Sequence, residues 1–201
     1  NAPTVTIAYP ISTNYNVNVS ELNYTAEDDV SISHCWYSLD GGATNSTPSA
    51  ACLNFTGLIS NEGSNTWTVY ANDSINKIGS DSVTFTKDTT SPQFTNFQRS
   101  PATPNEDQSI QVNVTVTETN KDKVILEFNN GTARNYTVTT NNGDEFYFTI
   151  NTGNYTAHDN VNYSWYANDT SGNMNKSALQ SFTVANQAPS VSAPAINETS
   201  P

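Results

Sequence analysis

The chain has 201 residues and a net charge of −12, from seven Lys and Arg against nineteen Asp and Glu. That balance excludes nucleic acid and anionic membrane surfaces as partners, because both require a positive face. The length suits two domains of about 100 residues each.

Only 13% of the residues are charged and 35% are apolar. Asn, Ser and Thr fill the gap, and they favour turns and strand surfaces over helix interiors. No apolar stripe of period 3.6 runs beyond two turns, so the expected fold class is all-β. Disorder is opposed by ten Tyr, eight Phe and three Trp set at alternating positions, enough to fill a core. No apolar run approaches the length of a membrane span, and no signal segment is present. A surface protein would need those segments elsewhere in a longer chain.

The predicted elements begin with a strand over residues 1–9, led in by Pro3. Val17 to Ala26 forms a second, with Leu22, Tyr24 and Ala26 inward. Glu27-Asp28-Asp29 is a turn. His34 to Leu39 is a strand closed by Asp40-Gly41-Gly42, a tight-turn signal. Residues 43–60 are weakly patterned, with one or two short edge strands around Leu53, Phe55 and Leu58. Thr66 to Ser74 (TWTVYANDS) alternates cleanly: Trp67, Val69 and Ala71 share one face, Thr66, Thr68 and Tyr70 the other. Asp81 to Lys87 follows, with Val83 and Phe85 inward, and Asp88 to Pro92 is a linker.

The same order then repeats. Phe94 and Phe97 lie on a first strand, and Ile110, Val112, Val114 and Val116 alternate four times without a break. Val124, Leu126 and Phe128 lead into Asn129-Asn130-Gly131. Tyr136 to Thr140 and Glu145 to Ile150 flank Asn141-Asn142-Gly143, a hairpin signal. Tyr163 to Asn168 lies within NYSWYANDT, 96 positions after TWTVYANDS, and Ala178 to Val184 closes the second copy. From Asn186, NQAPSVSAP restates the opening NAPTVTIAYP. Pro3, Pro92 and Pro189 thus mark equivalent positions, and the expected domains are 1–90 and 91–186, with 187–201 leading into a further repeat or pairing with another subunit.

About seven strands per repeat, with turns every 8–12 residues, fits an immunoglobulin-like or fibronectin-III-like antiparallel sandwich, here two in an extended array. HCWYSLDGG (His34 to Gly42), the two YAND segments and VTFTKDTTSP (Val83 to Pro92) resemble the Ig-like repeats of long archaeal cell-surface glycoproteins. The likeness covers about 185 residues. It implies a linker at Asp88 to Pro92 and a disulfide between Cys35 and Cys52. The cysteine pair alone is uninformative in a reducing cytosol and reads as a disulfide in an exported chain. Zinc is disfavoured, because the spacing is wrong and His34 points to the strand face opposite Cys35. The second copy has Val124 in place of Cys35, and neither copy carries a fibronectin-III tyrosine-corner run.

Thirteen Asn-x-Ser/Thr sequons stand at Asn18, Asn23, Asn45, Asn54, Asn72, Asn113, Asn130, Asn135, Asn154, Asn162, Asn168, Asn175 and Asn197. Composition alone would give roughly seven. N-linked glycans are therefore expected at several, above all at Asn72 and Asn168, which occupy the same place in the two YAND turns.

Carboxylates gather at Glu27, Asp28, Asp29, Asp73 and Asp88, and in the second copy at Glu118, Asp122 and Asp169. Hard oxygen ligands at one end of a sandwich could hold Ca²⁺ at a domain joint. Against this, no DxDxDG-type loop is present, and Asp73 and Asp169 suit turns that bond their own backbone. Apart from that ion no cofactor is expected. His34 and His158 have no nucleophile motif beside them, no phosphate loop or zinc-protease motif occurs, and catalysis is not expected. A Lys–Asn isopeptide is disfavoured because the first strands lack the lysine that the usual arrangement places there. Trp36 and Tyr70 should sit side by side on an outer sheet face, where they could bind a sugar ring or another subunit; the alternative is that one of them is core by a register slip.

The leading expectation is a non-catalytic repeat segment of an extracellular surface glycoprotein, serving as stalk, coat or filament shaft. Its partners would be neighbouring repeats or subunits and N-linked glycans, with no membrane contact by this segment. The alternatives are an adhesin or carbohydrate-binding module, and accessory domains of a larger secreted enzyme.

Overall fold

The structure, a computed structural model, describes residues 1–187. Among them are sixteen strands and no helix. The chain divides into two compact units, one of Asn1–Ser91 with Asp169–Asn173, the other of Pro92–Asn168 with the chain from Met174 on.

The first unit contains β1 (Thr4–Tyr9), β2 (Asn14–Tyr15), β3 (Glu21–Glu27), β4 (Ile32–Ser38), β5 (Phe55–Thr56), β6 (Gly63–Asp73) and β7 (Ile78–Lys87). One sheet runs β1-β3-β5 and the other β2-β7-β6-β4. All pairings are antiparallel except β2 with β7. The period-two pattern of β6 sends Trp67, Val69 and Ala71 inward, each fully buried. Leu22 and Tyr24 of β3 meet them from the opposite sheet, with Val5, Cys35 and Phe85 in the same cluster. Each large side chain so buried contributes about 1.5–3 kcal/mol, and the Trp67 and Phe85 rings meet edge to face at 5.1 Å.

The second unit contains β8 (Gln93–Ser100), β9 (Ile110–Thr117), β10 (Lys121–Asn129), β11 (Ala133–Thr137), β12 (Asn141–Asn142), β13 (Glu145–Ile150), β14 (Asn160–Asp169), β15 (Met174–Lys176) and β16 (Gln180–Thr183). One sheet runs β12-β13-β9-β8; the other runs β11-β10-β14-β15, with β16 also on β14. Ile110, Val112, Val114 and Val116 of β9 are all fully buried against Leu126, Phe128 and Trp165. Phe94 and Phe97 are three apart, yet both pack on this core. A bulge between Thr95 and Gln98, with Asn96 at φ 52°, restores the phase.

Several elements differ from expectation. The second strand begins at Glu21, and Val17 is 60% exposed. Leu53 is 72% exposed, and β5 is the only short strand among residues 43–60. The expected strand Tyr136 to Thr140 is divided between sheets: Tyr136 pairs with Leu126 in β10, whereas Asn141 and Asn142 pair with β13. The hairpin turn therefore falls one step later, on Gly143-Asp144, with Gly143 at φ 62°. Residues 188–201, including Pro189, most of the restated lead and Asn197, lie outside the described residues.

Candidate functional site

The outer face of the sheet β4-β6-β7 carries the expected aromatic pair. Trp36 is opposite Tyr70, and Tyr70 is opposite Ser80. Cross-strand partners share a face, so the same face holds His34, Asn72 and Ile78 in the next row, and Ser38, Thr68 and Ser82 in the row beyond. The Trp36 and Tyr70 rings stack at 5.5 Å between centroids with 10° between planes. Both are half-buried, so neither is core. The Tyr70 hydroxyl lies over Gly42, where a Cβ would meet it at 3.0 Å. No charged side chain stands on these three rows. The role of His34, Ser80 and Ser82 in this face is set by register and was not legible without it.

The corresponding row in the second unit is built differently. Lys176 places its ammonium 4.5 Å from the Tyr166 ring centroid. The Tyr166 hydroxyl donates to Glu127 at 3.1 Å, and Lys176 reaches the other oxygen of Glu127 at 3.2 Å. Hydrogen bonding to Tyr166 and then to Glu127 raises the Lys176 pKa.

Every sequon asparagine among the described residues is exposed or half-buried. Their amide nitrogens differ. Asn168 Nδ2 donates to Asp122 at 2.9 Å, Asn113 to Glu145 at 3.0 Å, and Asn175 to the Pro92 carbonyl at 2.8 Å. Asn18 and Asn154 donate to the carbonyls of Leu58 and Asn151, and Asn130 to that of Asn154. Asn72 is oriented from its oxygen instead: Oδ1 accepts the His34 N–H at 2.9 Å, and among the described residues its Nδ2 donates to none.

The turn carboxylates are occupied locally. Asp73 is fully buried, and its Oδ1 accepts the N–H groups of Ile75 and Lys77, each at 2.9 Å. Asp169 closes its turn the same way, accepting from Ser171 at 2.9 Å and Asn173 at 2.8 Å. Asn76 and Gly172, at φ 64° and 90°, complete the two turns. Asp88 accepts the Thr90 N–H at 3.1 Å, and Glu118 caps Thr119 and Asn120. Glu27 and Asp29 are exposed and Asp28 is half-buried; the hydrogen bond between Asp28 and Asp29 raises the pKa of the first and lowers that of the second.

A further carboxylate network was not singled out from sequence, although its Asp-Gly-Gly turn was. Asp40 accepts from the Ser38 hydroxyl at 2.7 Å and from the Thr44 N–H at 2.9 Å. These bonds lower its pKa to about 2. Cys35 and Cys52 are bridged, with 5.1 Å between their Cα atoms. His34 is exposed, on the face opposite Cys35. His158 sits in a loop at φ 70°, its N–H bonded to the Val184 carbonyl.

No family model and no curated protein matches the chain. Among solved structures, it is similar to the I-band fragment I67–I69 of titin at 12% identity and TM-score 0.58, over 92% of this chain and 66% of that one. It is also similar to the N-terminal eight Ig domains of Down Syndrome Cell Adhesion Molecule, at 13% identity and TM-score 0.53, over 93% of this chain and 27% of that one. The fibronectin(III)-like modules of CbhA from Clostridium thermocellum align over 92% of this chain at 12% identity and TM-score 0.41. The titin and adhesion-molecule matches show the fold to be that of immunoglobulin-like β-sandwich repeats. The chain spans about two thirds of the titin fragment and a smaller part of the adhesion molecule.

Proposed function

We propose that this chain is a non-catalytic repeat segment of an extracellular surface glycoprotein of archaeal type, acting as a stalk, coat or filament shaft. The observation that carries the reading is what the two copies have in common. Between Thr66–Ser74 and Asn162–Thr170 the features that act alike in both copies are core alternation and a turn-closing aspartate, whereas the shared outward tyrosine and sequon asparagine sit in different surroundings. Those are scaffold features, and repeating a scaffold serves length and rigidity. A disulfide fits an oxidising compartment, and the surface sequons fit a glycosylated coat. No helix among the described residues is long and apolar enough to cross a membrane.

An in-frame deletion of residues 1–186 from the native surface protein tests this. The spacer reading expects a shorter surface projection by electron microscopy, with anchoring and any distal activity retained. Loss of ligand capture with unchanged projection length would contradict it. The second reading, carbohydrate binding, is favoured by the stacked Trp36–Tyr70 pair, because sugar rings lay their C–H faces on aromatic planes. It expects saccharide binding by the bare chain that Trp36→Ala abolishes.

A further inference from the structure

We propose that the Trp36–Tyr70 pair is the seat of the chain's own glycan: the first sugar attached to Asn72 lies with its C–H face on the Tyr70 ring. This rests on the glycoprotein reading above and adds a bound position for one sugar.

Tyr70 and Asn72 are two residues apart on one strand, so they share a face at a separation of about 7 Å. Asn72 is not free to rotate away, because its Oδ1 is held by the His34 N–H at 2.9 Å. With that oxygen fixed, Nδ2 is the atom left to carry a sugar. In the attachment, Nδ2 bonds to C1 of a saccharide carried on a lipid phosphoryl group. The C1–O bond breaks, the phosphoryl group leaves with the electron pair, and one amide proton passes to solvent. The sugar then has Tyr70 on one side along the strand and Ile78, 58% exposed, beside it on β7. Trp36, stacked on Tyr70 from β4, covers one face of that ring and holds it in place, leaving the other face to the sugar. The exposed His34, Ser80 and Ser82 on the same face offer hydrogen-bonding groups for the hydroxyls of a neutral sugar.

The second unit supplies the internal contrast. Tyr166 also precedes its sequon asparagine by two, but its ring carries the Lys176 ammonium. Asn168 Nδ2 is engaged with Asp122. A sugar at Asn168 would have to displace the lysine, so the seat belongs to Asn72.

The test uses the full chain made in a glycosylating host, with occupancy at each sequon mapped by glycopeptide mass spectrometry. The expected result is an upfield ring-current shift of the first sugar's protons at Asn72 in NMR, absent at Asn168. Removing the glycan by Ser74→Ala, which abolishes the sequon but keeps the Asn72–His34 bond, should lower the melting temperature by a few degrees in the wild type and in Tyr70→Phe, and leave Tyr70→Ala unchanged. If Tyr70→Ala does not fold, the wild-type proton shift decides. A glycan on Asn72 with unshifted protons overturns the seat and leaves the glycoprotein reading standing. A bare Asn72 beside occupied sequons elsewhere overturns the seat alone, and a chain bare at every sequon overturns both. Binding of a free oligosaccharide on Tyr70 while Asn72 carries its glycan assigns the face to an external ligand and overturns the proposal.

Discussion

Asp73 and Asp169 do the same work at the same place in each copy. A buried carboxylate oxygen accepts two backbone N–H groups and closes the turn after the core strand. Hydrogen bonds to a charged acceptor are stronger than neutral ones. Asp73→Ala should therefore cost about 2–4 kcal/mol in urea denaturation, and Asp73→Asn, which keeps an acceptor oxygen, should cost less. Asp40 gives the pH prediction. Its folded pKa, about 2, lies below the ordinary carboxylate range. The bonds to Ser38 and Thr44 therefore add stability that is complete above the ordinary value and is lost as pH falls towards 2. The Thr44 amide should titrate in NMR with a midpoint near 2, and a midpoint near 4 would show the carboxylate to be unbonded.

At the scale of elements, the two units solve shared problems by different means. Next to β4, the loop of the first unit meets the strand through the Cys35–Ser49 bridge and hydrogen bonds between Tyr37 and Ser46, and the disulfide fixes it. In the second unit Val124 stands where Cys35 would be, and β11 forms a five-residue ladder on β10 in its place. Cys35→Ser with Cys52→Ser should cost about 3 kcal/mol, read in the first unit by amide exchange on β4, with β10 unchanged. The lead strand shows a second pair of solutions. Gly79 faces the Pro3 carbonyl so closely that a Cβ would stand 1.8 Å from its oxygen. Asn175, at the matching place, instead donates to the Pro92 carbonyl. Gly79→Ala should destabilise by about 2 kcal/mol or more in denaturant titration, despite alanine's lower backbone entropy cost.

The core strands were legible because burial on one face imposes period two, and Trp67, Val69, Ala71 and the β9 valines obey it. Strand ends and partners were less so. Tyr136 to Thr140 reads as one strand, but nothing in the local pattern says that the chain changes sheets after Thr137. The bulge at Thr95 is likewise a departure from period two that sequence alternation alone cannot place. At the candidate site, the outward position of Trp36 and Tyr70 followed from the same alternation. The pinned oxygen of Asn72 depended on a register shift between Ile32 and His34, which is a tertiary fact.

At the scale of the whole molecule, two sandwiches of one type follow each other in the chain. They share scaffold features and differ in their outer rows. A charge of −12 spread over a surface rich in Asn, Ser and Thr keeps such a chain soluble and unaggregated. On this account the sequons complete that surface by carrying sugar. The most direct measurement is the mass of the Asn1–Pro201 segment taken from the native source, with glycopeptide mapping of its sequons. A mass above 21.8 kDa, with sugar on several asparagines including Asn72, is the predicted result. A native segment at the bare mass, unmodified at every sequon, would contradict it.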